Sequence, residues 1–209
     1  MEYCGGGLRR TSPRIAAVLG SPFLLYGSPM RVAFFGGSFN PPHVAHQLVS
    51  LYVLETAPVD ELWVVPCWKH PFDKALAPYA QRLRMCELAA AALGPRARAS
   101  DIEGRLGGES RTLLTIKALR SERPDCEFHL VVGADIDQEL PLWYGAEELL
   151  RTVPRIVVGR GGYAGGSHLA MPAVSSTEVR RRVAAGESVE ALVPKAVDAY
   201  IREHRLYVE

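Results

Sequence analysis

From residue 30 onward the chain alternates between short apolar runs and longer stretches whose apolar residues recur every three or four positions. The run RVAFFG (31–36) is β-branched and aromatic and ends on glycine, which predicts a buried strand. ELWVVP (61–66), EFHLVVG (127–133) and RIVVG (155–159) repeat that signature, and ARAS (97–100) is a weaker version of it. Between them, AHQLVSLYVLE (45–55), YAQRLRMCELAAAAL (79–93), TLLTIKALRSE (112–122) and GAEELLRT (145–152) predict helices. SSTEVRRRVAAG (175–186) opens on hydroxyls and closes on glycine, as a capped helix does. PKAVDAYIREH (194–204) predicts a last helix, with proline in its first turn.

Strands this continuously apolar are buried on both faces, and their alternation with helices predicts an α/β fold with a doubly wound parallel sheet. Such folds bind ligands in the loops that follow the strand C-termini. The glycine-rich stretch GRGGYAGGS (159–167) does not open a helix in GxGxxG form, so it does not read as a dinucleotide fingerprint. Residues 1–29 stand apart. Their arginines precede a short apolar patch (15–19) that Gly-Ser-Pro breaks before it reaches the length of a signal-peptide core. Met30 stands directly before the first strand. The expectation is that Met30 is the natural start, that 1–29 is a disordered or mis-assigned extension, and that 30–209 is a single domain.

Composition narrows the classes. The chain has 209 residues, 48% hydrophobic and 22% charged, as soluble globular proteins do. A net charge of +1 gives no global field for nucleic acid or a membrane surface. No apolar run reaches the ~18 residues of a membrane span. Cys4, Cys67, Cys86 and Cys126 lack CxxC spacing and read as reduced thiols of a cytoplasmic protein.

The candidate chemistry lies in FFGGSFNPPHVAHQ (34–47), at the end of the first strand. Gly36 and Gly37 let backbone come close to a ligand, Ser38 and Asn40 can donate hydrogen bonds, and Pro41 and Pro42 stiffen the turn. His43 and His46 share one face of the following helix's first turn, where amides are unpaired and the dipole is positive. Imidazoles beside a glycine loop make an anion site suited to a polyphosphate. Paired histidines can also ligate a metal, but no acid accompanies them in a zinc-helix pattern.

GSFNPPHVAH resembles the GxFxPxHxGH signature of the adenylyl- and cytidylyltransferase superfamily, and VSSTEVR (174–180) resembles its ISSTxxR signature. Within that superfamily the chain is most similar to the nicotinate-nucleotide adenylyltransferase family. That similarity runs in order through KHPFDK (69–74), DIE (101–103), SRTLLTIKAL (110–119), GAD (133–135), LWY (142–144) and VVGRGGY (157–163). There are three departures. Ala45 replaces the glycine of HxGH, Arg111 the tyrosine of SYT, and KHPFDK rearranges the usual PPHK loop.

The resemblance implies a Rossmann-like nucleotidyltransferase fold and adenylyl transfer from ATP to nicotinate mononucleotide, giving deamido-NAD and pyrophosphate. His43, His46 and Arg180 would be catalytic. Gly36, Gly37, Ser38, Phe39, Lys74, Gly133, Asp135, Ser175, Ser176 and Thr177 would join them in binding ATP. Asn40, Lys69, His70, Ser110, Arg111, Thr112, Trp143 and Arg160 would bind the acceptor. Mg2+ would arrive on ATP's phosphates, with no ligands from protein side chains. Nucleic acid and membrane are not expected partners, and a homo-oligomer is left open. Two other readings remain: transfer to nicotinamide mononucleotide or another phosphorylated acceptor, and a nucleotide-binding module without turnover.

Overall fold

Alternate residues of the first strand serve two different cores. Val32 and Phe34 pack on one face of the sheet with Phe128, Leu130, Leu113 and Ile116, while Ala33 packs on the other with Val64, Val131, Val53 and Leu54. Burying each such large side chain contributes about 1.5–3 kcal/mol before the cost of ordering the chain. The structure, a computed structural model, describes residues 28–70, 75–159 and 171–208. Residues 1–27 are outside it, with Lys74, Arg160 and most of the glycine-rich stretch.

Five strands form one parallel sheet: β1 (Met30–Gly37), β2 (Glu61–Pro66), β3 (Ala97–Ala99), β4 (Cys126–Gly133) and β5 (Arg155–Val158). Their order is β3-β2-β1-β4-β5, so the chain reverses direction across the sheet between β1 and β4. The register sets Phe34 opposite both Trp63 and Leu130, and carries β1 beyond its β4 partner to Gly37 beside Pro66. The strands' C-terminal ends and the break between β1 and β4 therefore meet in one place, the usual site of ligand binding in such sheets.

Helices α1 (Val44–Thr56) and α2 (Tyr79–Ala91) supply Val53, Leu54, Cys86 and Ala90 to one face. The other face receives Ile102 from α3 (Ile102–Leu106), Leu113 and Ile116 from α4 (Thr112–Glu122), and Leu149 from α6 (Ala146–Thr152). A third apolar cluster fastens α7 (Ser176–Ala184) and α8 (Lys195–Glu203) to α2 through Met85, Ala89, Val179, Val197 and Ile201. This arrangement is the predicted doubly wound sheet. The pattern had not predicted three short elements: α3, α5 (Ala134–Asp137) and a 3-10 turn at Leu140–Leu142. Each is shorter than two helical turns, too short for a period to register.

Candidate active site

The residues before α1 form a sharply shaped loop. Phe39 takes a left-handed φ of 43°, a region that costs a non-glycine residue of order 1–3 kcal/mol. Its ring is buried, with its centroid 4.9 Å from that of the His46 ring and 5.5 Å from that of Phe35, both in edge-on packing. Phe39 thus supports an imidazole from behind and does not line the cleft. His43 is the N-cap of α1, in extended conformation, and its ring stacks on that of His46 with centroids 3.7 Å apart. The His43 backbone N–H donates to His46 Nδ1 at 3.1 Å. Nδ1 thus acts as an acceptor, which assigns the ring N–H to Nε2.

Both rings open on a cleft of about 510 Å³ across the C-terminal edge of the sheet. Gly36, Gly37, Ser38 and Ala45 line it beside them, with His70, Gly133 and Asp135. Glycine at 36 also answers a packing need, since a Cβ there would lie 2.9 Å from the Phe34 ring. At Gly133 a Cβ would lie 2.4 Å from Asp135 Oδ1, so the strand end must be bare for the carboxylate to fold over it. Across the sheet edge stand Ser110, Arg111 and Thr112 at the start of α4, with Trp143 and Tyr144. Trp143 is half-buried against the core while lining the cleft.

Several predicted residues stand elsewhere. Lys69 is exposed outside the cleft lining, and its backbone N–H and carbonyl both bond to Ser110. Asn40 is 3% exposed and its side chain is spent inside the protein. Oδ1 accepts from Tyr207 Oη at 2.9 Å and from the Ala77 N–H at 3.0 Å, and Nδ2 donates to the Ala75 carbonyl. Asn40 is thus a brace between three segments and does not line the cleft.

The start of α7 likewise grips the histidine loop. Ser176 Oγ donates to the Pro41 carbonyl at 2.9 Å, and Arg180 Nη1 donates to the Asn40 carbonyl at 2.8 Å. Ser175 Oγ caps the helix by accepting from the Glu178 N–H, and Arg180 Nη2 reaches Thr177 Oγ1 at 3.4 Å. Residues 135 or more positions apart thereby converge on one loop. None of Ser175, Ser176, Thr177 and Arg180 lines the cleft.

Arg82 and Tyr207 escaped the sequence reading, and Glu103 entered it only within DIE, with no role of its own. Arg82 is 1% exposed and donates to the carbonyls of Ala77, Ser38 and Trp68 at 2.9, 3.0 and 3.3 Å. Its Nη1 also reaches Cys67 Sγ at 4.0 Å and its Cζ lies 5.5 Å from the Tyr79 ring centroid, so the charge sits beneath the glycine loop. The signal was available, because Arg82 falls at helical spacing with Met85, Cys86 and Ala89 on an apolar stripe. Glu103 is buried in the cleft wall and accepts hydrogen bonds from Ser110 and Thr115 hydroxyls. Tyr207 carried no signal at all. Burial pushes its phenol well above the ordinary value, so it remains a donor at physiological pH. Tyr207→Phe removes one of the two donors to Asn40 Oδ1 and should cost about 1 kcal/mol, read as a shift in the urea midpoint.

Cys67 lines the cleft as well, and burial raises its thiol's pKa against the lowering effect of Arg82. It is a protonated thiol at neutral pH, unsuited to covalent catalysis. Cys67, Cys86 and Cys126 are all free. No helix of the described residues is long and apolar enough to cross a membrane.

The Cytidylyltransferase-like family model matches residues 34–182, a span that opens in β1 and closes in α7. The chain is 44% identical over 182 residues to the probable nicotinate-nucleotide adenylyltransferase of Anaeromyxobacter dehalogenans, covering 84% of this chain and 96% of that protein. It is 40% identical over 183 residues to the protein of the same name from Myxococcus xanthus, covering 85% and 95%. Among solved structures, Plasmodium falciparum nicotinic acid mononucleotide adenylyltransferase complexed with NaAD superposes with a TM-score of 0.71 at 21% identity, over 85% of this chain and 97% of that one. That superposition shows a shared fold, and the closer sequence relatives fix the lineage. With its two histidines, its α7 signature and nearly full-length agreement with those relatives, the chain belongs to the nicotinate-nucleotide adenylyltransferase family of cytidylyltransferase-like proteins.

Proposed function

We propose that the protein transfers the adenylyl group of ATP to the 5′-phosphate of nicotinate mononucleotide, yielding deamido-NAD and pyrophosphate in NAD synthesis. The observation that carries this reading is the stacked His43–His46 pair, opening on a cleft whose opposite wall is aromatic. The names of the A. dehalogenans and M. xanthus relatives support the same reaction.

A phosphate monoester has its second pKa near ~6, so the acceptor is largely dianionic at neutral pH and needs no general base. An oxygen of that phosphate forms a bond to the α-phosphorus of ATP, and the bond from that phosphorus to the bridging oxygen of pyrophosphate breaks. The protein's task is to hold two polyanions in line and stabilise the charge that develops. His46, with its Nε2 proton, and His43 are assigned to the α- and β-phosphate oxygens. Gly36, Gly37, Ser38, Gly133 and Asp135 are assigned to the nucleotide. The β- and γ-phosphates are assigned to Ser175, Ser176 and Thr177 at the start of α7, with Arg180 holding that helix to the histidine loop. Lys69, His70, Ser110, Arg111, Thr112 and Trp143 are assigned to the acceptor side. Lys74 and Arg160, expected phosphate contacts, lie outside the described residues.

Mg2+ would enter on the triphosphate and supply charge neutralisation there. Ser38 and Asp135 line the cleft and would offer oxygens to the waters of an ion held in that way. The reading places the protein in the cytoplasm, with residues 30–209 working as one domain.

The test is pyrophosphate release from ATP with nicotinate mononucleotide, nicotinamide mononucleotide and phosphopantetheine supplied separately. The expected result is turnover with the nicotinate form at least ~10-fold faster than with the others. Tight ATP binding with no pyrophosphate from any acceptor would overturn the proposal in favour of a binding module.

A further inference from the structure

The residue at 111 gives the cleft a charge that the family's usual tyrosine cannot. The two walls of the cleft belong to opposite faces of the sheet. The α1 core residues pack with Ala33 and Val131, and those of α4 with Phe34 and Leu130. The histidines at the start of α1 and Arg111 at the start of α4 therefore face one another across the sheet's C-terminal edge.

Nicotinate mononucleotide is anionic at both ends. Reaction requires its phosphate beside ATP, on the histidine side, which sends the ring carboxylate toward the α4 wall. Among the described residues lining the cleft, Arg111 is the one arginine or lysine, against the carboxylates of Glu103, Asp135 and Glu139. Without Arg111, the described charged side chains that such a carboxylate would meet on that wall are the acids Glu103 and Glu139.

The guanidinium is also held in place. Arg111 Nη2 donates to Glu109 Oε2 at 2.7 Å, and its Cζ lies 5.5 Å from the Tyr144 ring centroid. Its carbonyl is tied into α4 by the Thr115 N–H at 3.0 Å. Glu109 does not line the cleft, so it aims the fork while other N–H groups remain for a ligand. The neighbouring carboxylate, Glu103, is occupied by the Ser110 and Thr115 hydroxyls.

We infer that Arg111 is a specificity-determining residue, pairing with the pyridine carboxylate and setting the preference for the nicotinate over the nicotinamide form of the mononucleotide. The inference rests on the function proposed above. A guanidinium–carboxylate contact is charge-assisted and roughly twice as strong as the neutral bond an amide offers. The discrimination is a difference of affinities, built from attraction to the acid and from the uncompensated acidic wall that its removal would leave.

The test compares kcat/KM for the two mononucleotides at saturating ATP in the full chain, Arg111→Gln and Arg111→Lys, with melting curves to verify folding. The acid-to-amide ratio should fall ~10–100-fold in Arg111→Gln, the size expected for losing a charge-assisted contact. Arg111→Lys should recover part of it, because it keeps the charge without the fork. A ratio within ~3-fold of the parent in Arg111→Gln would overturn the inference while leaving the reaction intact. Should Arg111→Gln fail to fold, an unchanged ratio in Arg111→Lys together with Arg111→Met has the same force. A parent enzyme that turns over neither mononucleotide removes the proposed function, and this inference with it.

Discussion

His46→Ala should lose ~10²–10³-fold in kcat for pyrophosphate release, the usual consequence of deleting one donor aimed at developing charge. The loss should fall on kcat more than on KM, because the Nε2 proton matters most when charge accumulates on the α-phosphate. The fold should survive. The His46 ring is only half-buried and packs between His43 and Phe39, so its removal should lower the melting temperature by just a few degrees. His46→Gln, which keeps an N–H donor of similar reach, should recover part of the rate. Turnover within ~3-fold of the parent enzyme in His46→Ala would take His46 out of the reaction, and the proposed mechanism with it.

Arg82→Leu should be the most destabilising single change in the molecule outside the apolar cores. The guanidinium satisfies carbonyls on the glycine loop, on the segment after β2 and on the entry to α2. Leucine fills much of the space and leaves Ala77, Ser38 and Trp68 carbonyls without that partner, at about 1–3 kcal/mol for each that water cannot reach. A total of about 3 kcal/mol corresponds to a fall in melting temperature of roughly 6–12 °C for a domain of this size. Arg82→Lys should lie between, because one ammonium cannot span three diverging carbonyls. A melting temperature unchanged in Arg82→Leu would mean that those loops are fixed by other contacts. The same variant should also weaken ATP binding, since the charge it removes lies beneath the Ser38 loop.

The two predictions mark what could and could not be read from the chain alone. The sheet was legible because four of its strands carry near-continuous apolar runs, with β3 the weaker one, and α7 because Ser175 is an ordinary N-cap. The histidine pair was legible because a strand end, a glycine pair and two imidazoles fall within one short segment. Asn40 was not. Its polar side chain beside a glycine loop suggested a ligand, but its partners, Ala77 and Tyr207, are 37 and 167 positions away. A local pattern does not encode contacts of that range. Arg180 shows the same limit from the other side. Its motif was visible, whereas its acceptor, the Asn40 carbonyl, is a backbone atom that leaves no mark in the sequence. Arg82 was the avoidable omission, a charged residue on an apolar stripe that must have a buried purpose.

The placement of β1 at the centre of the sheet has a consequence for how the protein is made. Met30 pairs with Cys126, so one edge of the strand bearing the histidine loop stays bare until β4 has left the ribosome. The loop itself waits longer, because Ser176, Arg180 and finally Tyr207 must be synthesised before its braces close. A nascent chain stalled ahead of α7 would carry all five strands with the histidine loop still unfastened, so that loop should reach its final form only after Tyr207 has been made.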